Sequence, residues 1–78
     1  MDTITYRGVI DKAQIGFLNS IIESYEGIAV VRTFDASLGM IELWLPQEFE
    51  DVVNAVMRDL TPEIGLQCFR KVKQRLSP

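Results

Sequence analysis

The sequence contains no histidine and a single cysteine, Cys68. The first absence removes imidazole acid-base catalysis, the Ser-His and Cys-His nucleophile pairs and the commonest zinc ligand. The second excludes an internal disulfide framework and makes a reducing, cytoplasmic setting the expectation. No apolar run approaches the roughly 20 residues that span a bilayer, and "MDTITYRG" has neither the basic nor the apolar region of a signal peptide. A soluble chain with no membrane partner is expected. Carboxylates, lysines and hydroxyls are left for chemistry, and no glycine-rich phosphate cradle accompanies them. The expectation is a non-enzyme, with no catalytic residue, metal site or cofactor.

Positive charge is scarce as well. Eight basic residues stand against eleven acidic ones, for a net charge of -3. Arg70, Lys71, Lys73 and Arg75 crowd into "RKVKQRLSP", whereas Glu48, Glu50, Asp51, Asp59 and Glu63 lie before it. Counterion release from a nucleic acid needs a larger basic footprint, so a nucleic-acid partner is disfavoured. The 47% hydrophobic content is that of a globular protein. With 78 residues it forms one domain, residues 1–78 with an ordered core of about 3–72. A chain of this size buries only about 60 to 65% of the surface its unfolded form exposes.

The hydropathy pattern gives the elements. "TITYRGVI" alternates, with Ile4, Tyr6, Gly8 and Ile10 on the core side and Thr5, Arg7 and Val9 on the other. Asp11 with Gln14 three residues later has the form of a capping box, which predicts that the first helix starts there. Gln14 or Ile15, Leu18, Ile21, Ile22 and Tyr25 recur at helical spacing, and Gly27 reads as a left-handed cap. Gly16 is out of place in the first turns, where it costs about 1 kcal/mol relative to Ala unless it serves close packing or an approaching ligand.

A second helix begins with Pro46 in its first turn and acidic residues at its positive end. Phe49, Val52, Val53, Val56, Met57 and Leu60 form its apolar stripe, and "TPEIG" breaks it before a last strand, "LQCFRKV". The order strand, helix, strand, strand, helix, strand predicts an α+β fold of the ferredoxin-like βαββαβ type. It has a four-stranded antiparallel sheet with two helices on one face.

That architecture leaves one sheet face bare, and the hairpin "VVRTFDASLGMIELWL" states what lies there. With "DASLG" as the turn and Gly39 at positive φ, Phe34 faces Met40, Arg32 faces Glu42 and Val30 faces Trp44. Ala29, Val31 and Thr33 with Ile41, Leu43 and Leu45 then belong under the helices. Val30, Arg32, Phe34, Met40, Glu42 and Trp44 stand on the bare face and together make a patch of the size that marks a contact surface. The expected cover is a second copy of the chain or another protein.

The carboxylates near structural junctions have structural readings: Asp11 as an N-cap, Asp35 as a turn former, Glu42 as a cross-strand partner. An RNA-binding reading of this topology calls for several aromatic residues among basic ones on the central strands. "GMIELWLP" supplies one, and Tyr6 lies on the core side.

"QIGFLNSIIESYEGIAVVRTFD", followed by "GMIELWLP" and the second helix, resembles an ACT domain, the small regulatory module that binds amino acids or related ligands. In that family a glycine, usually after a proline in an aspartate-containing turn, opens the first helix. Asp11 and Gly16 occupy comparable places, with Ile15 where the proline is expected and a longer spacing from the aspartate. The resemblance covers about residues 3 to 72 and implies pairing through sheets, with Asp11 and Gly16 as a possible small-ligand site. The whole chain is also similar to a family of short, stand-alone bacterial proteins of unassigned function.

Overall fold

The computed structural model describes residues 3–72. Strands β1 (Thr3–Val9), β2 (Val30–Asp35), β3 (Met40–Pro46) and β4 (Gln67–Val72) form one antiparallel sheet in the order β2-β3-β1-β4. Helix α1 (Ile15–Glu23) follows β1, and α2 (Glu50–Ile64) follows β3. Alternation along β1 and β3 puts Ile4, Tyr6, Ile41, Leu43 and Leu45 on one face, where they pack with Leu18 and Ile22 of α1 and Val53, Met57 and Ile64 of α2. Burial of these side chains, each contributing about 1.5–3 kcal/mol, is the main force holding helices to sheet. Tyr6 stacks on Phe69 of β4 with ring centroids 4.9 Å apart, and its hydroxyl donates to Glu50 Oε2 at 2.7 Å, tying β1 to α2. Burial raises the phenol's pKa.

The helix boundaries depart from the sequence reading. No capping box forms at Asp11, because its backbone N–H is already given to Ile64 O at the end of α2, 2.8 Å away. Its carboxylate accepts from Ala13 N, which closes a 3-10 turn over Lys12–Gln14, and the α-helix starts at Ile15. The helix ends at Glu23 with Ser24 as its cap, so Gly27 (φ 87) and Glu26 (φ 49) shape the turn beyond it and Tyr25 is exposed.

Pro46 closes β3 and caps a 3-10 turn, and α2 begins at Glu50. Nor does "TPEIG" end α2 early. Pro62 lies inside its last turn, where a missing N–H forfeits a single helical bond. Complete burial of Ile64 draws the turn onto the core, and Gly65 (φ 66) terminates it. Val52, placed on the apolar stripe by spacing, is exposed. β4 starts at Gln67, leaving Leu66 in the connection but packed against the core.

Candidate functional site: the helix-free sheet face

The face of the sheet opposite the helices is lined by alternate residues of all four strands, and no element among the described residues covers it. Val30 is 54% exposed, Phe34 55% and Trp44 39%. The strand register sets Val30 opposite Trp44 and Arg32 opposite Glu42, as the hairpin pattern implies. Phe34 does not face Met40. A bulge after Thr33 puts Asp35 opposite Met40 and leaves Phe34 as the extra residue. The turn itself is a 3-10 turn over Ala36–Leu38, held by Asp35 accepting from Ser37 N and Ser37 Oγ, and closed by Gly39 at φ 71.

One row crosses the whole sheet: Arg70 of β4, Arg7 of β1, Glu42 of β3 and Arg32 of β2 are successive cross-strand neighbours. Glu42 is its centre, with both carboxylate oxygens engaged. Trp44 Nε1 donates to Oε1 at 2.9 Å and Arg7 Nε donates to Oε2 at 2.8 Å. The indole hydrogen bond, the Arg7 bond and charge, and the charge of Arg32 hold this carboxyl below its usual range, against the opposing effect of burial.

The two arginines also lie over aromatic rings. Arg7 crosses β3 to place its guanidinium 4.6 Å from the Phe34 ring centroid, and Arg32 lies 4.7 Å from that of Trp44. Such contacts are worth about 0.5–1 kcal/mol each at exposed positions. The ion pair of Glu42 is thus with Arg7. Arg32, which the pattern paired with Glu42, spends its contact on Trp44 instead.

The hairpin pattern by itself does not bring Arg7 or Arg70 into the site. The signal for them is the strand order: once β1 lies between β3 and β4, alternation brings Arg7 onto the bare face beside Glu42 and sets Arg70 against Arg7.

At one end of this face the molecule has a groove of about 510 Å³. Its lining includes Thr3, Ala29, Val30, Trp44, Pro46 and the carboxylate-bearing Glu48. Asp11 and Gly16 lie elsewhere. The Asp11 carboxylate is occupied within its own turn, and a Cβ at Gly16 would have nothing within 4 Å, so Gly16 is not a packing glycine. The described residues contain no grouping of three or more acidic or cysteine side chains arranged to hold a metal ion, and no helix is long and apolar enough to cross a membrane.

Fold and face together define a small α+β module with one sheet face sealed by helices and the other bare and patterned. Residues 9–64 match the family described as Domain of unknown function (DUF4911), and the chain belongs to that family. Comparison with curated proteins and with solved structures gave no match.

Proposed function

We propose that this is a non-enzymatic, cytoplasmic bacterial interaction module of ferredoxin-like type, one domain that self-associates through its helix-free sheet face. The observation that carries the reading is the state of that face. Three large apolar side chains are exposed together, while the charged groups between them are already ordered by the Glu42 network. A surface whose side chains are fixed before contact loses less entropy on association, which favours binding. The element order and the strand order β2-β3-β1-β4 support the ferredoxin-like assignment.

Trp44 is the anchor of the patch, since aromatic residues carry much of the energy of such contacts. Trp44→Glu places an unpaired charge where the contact is desolvated and leaves it in water in the monomer. The variant is expected to be a folded monomer by sedimentation while the wild type is a dimer at micromolar concentration. A wild type that stays monomeric at high concentration overturns the reading.

An ACT-type sensor that binds an amino acid near Asp11 and Gly16 is the second reading. The open space at Gly16 in the first turn of α1 favours it. A ligand bound only by the native state raises stability by RT ln(1 + [L]/Kd), so thermal melts with millimolar amino acids test it. No shift with any of them removes it.

A further inference from the structure

We infer that the groove at the end of the bare face is the seat of this chain's own residues 73–78, which cross from the end of β4 and lay Leu76 beside Trp44. At about 510 Å³ the groove is in the size range of sites that seat a bound group, about 300–1,000 Å³. Ala29, Val30, Trp44 and Pro46 make its lining largely apolar, and Glu48 is the one charged residue in it.

The sheet delivers the segment to this place. β4 ends at Val72, which stands opposite Thr5 of β1. Thr5 is opposite Trp44, and Trp44 is opposite Val30. β4 thus ends in the row of the sheet that holds two lining residues of the groove, and its direction leads towards the next row, where Thr3 and Pro46 also line it. From β4 across β1 to β3 is two strand spacings, about 10 Å, and the space between β3 and β2 lies half a spacing further on. Four residues of extended chain span about 13 Å, so the side chain that arrives is Leu76. It is the one large aliphatic residue of the segment "KQRLSP".

Charge matches as well. The segment carries Lys73 and Arg75 and no acidic side chain, and the groove offers Glu48. β4 already sends a cation towards the acidic stretch that follows β3, because Lys71 Nζ lies 3.1 Å from Glu50 Oε2. Arg75, next to Leu76, is placed to meet Glu48 in the same way. The occupant of the groove is therefore this segment of the same chain. Trp44 is also the anchor of the contact proposed above, so the seated segment and a second copy compete for it. That competition rests on the face reading; the seating does not.

Disulfide trapping in a Cys68→Ser background tests the seat. Ala29→Cys and Leu76→Cys are combined in the 78-residue chain, with folding checked by circular dichroism. Under mild oxidation an intrachain disulfide should form, giving a monomer that runs faster on a non-reducing gel, at a rate independent of protein concentration. Leu38→Cys with Leu76→Cys, whose first cysteine lies at the other end of β2, should cross-link far more slowly. The fluorescence of Trp44, the sole tryptophan, is the second readout. At a concentration where sedimentation shows monomer, Leu76→Ser should shift its emission to the red and raise its quenching by acrylamide. No intrachain disulfide, equal rates for the two cysteine pairs, or unchanged emission and quenching overturns the seat, whether or not the wild type dimerises. Covalent dimers in place of the intrachain product mean that the segment enters a second copy, which also overturns it. With the seat in place, Leu76→Ser should lower the Kd of the dimer. An unchanged Kd, or a wild type that is monomeric at every concentration, overturns the competition.

Discussion

Leu43 and Trp44 are neighbours in β3, one with no exposed surface and the other 39% exposed. They show how differently the two sides of one sheet are built. On the helix side volume dominates: Ile41, Leu43 and Leu45 lie in one buried cluster with side chains of both helices, the Tyr6–Glu50 hydrogen bond lies beside it, and no polar or charged side chain is buried among the described residues. On the bare side the same strands carry arginines, a glutamate and aromatic rings, and these are ordered by directional contacts. The helix side stabilises the chain. The bare side is expected to contribute less to folding than the helix side.

The sharpest way to break that comparison is to truncate both neighbours. Leu43→Ala removes a fully buried side chain and should cost about 2–5 kcal/mol in a urea melt. Trp44→Ala, measured in the monomer, should cost less than half of that. Equal losses would mean that the bare face is a second core.

Two glycines sharpen it next. Gly39 is buried at the end of the hairpin, and a Cβ there would lie 1.9 Å from Ile10 O, the residue whose N–H Gly39 O accepts at 2.8 Å. Positive φ alone would make Gly39→Asn milder than Gly39→Val. The clash with backbone instead means that Ala, Asn and Val should all destabilise, by about 1–3 kcal/mol or more. Gly16→Ala meets nothing and should stabilise by up to about 1 kcal/mol. Thermal melts of the two alanine variants should therefore move in opposite directions.

The smallest effect concerns Glu42. Its folded carboxyl titrates below the ordinary value of 4.5, so the unfolded chain takes up the proton first as pH falls. The stabilisation is complete above that value and is lost as pH drops from 4.5 through the depressed folded value. Glu42→Gln should flatten this part of the stability profile between pH 5 and acid, by a fraction of what Leu43→Ala costs. An unchanged acid limb would show that the network contributes nothing to folding.

Much of this was legible in the sequence for a physical reason. Period-two alternation in "TITYRGVI" and "GMIELWL" assigns faces strongly because a slip of one residue would bury Arg7 or Glu42. Helix ends were less legible. The N–H of Asp11 is spent on Ile64, and Pro62 is carried within α2 by the burial of Ile64, both consequences of contacts distant in sequence. At the candidate site the hairpin pattern gave the pairs Val30–Trp44 and Arg32–Glu42. It did not give the bulge that displaces Phe34, nor the arrival of Arg7 from another strand, since neither is encoded in the hairpin's own residues.

The position of β1 has a kinetic consequence. This first strand is central in the sheet, and its partners, β3 and β4, are residues 40–46 and 67–72. Only the β2–β3 hairpin and the helices close contacts locally, and pairing between sequence-distant strands is slow to form. During synthesis β1 leaves the ribosome before both of its partners and waits with Ile4 and Tyr6 unsheltered until residues 40–46 and 67–72 have followed. Folding of this protein should therefore be a late event, complete only after β4 is released from the exit tunnel, and chains truncated before Gln67 should remain sensitive to protease.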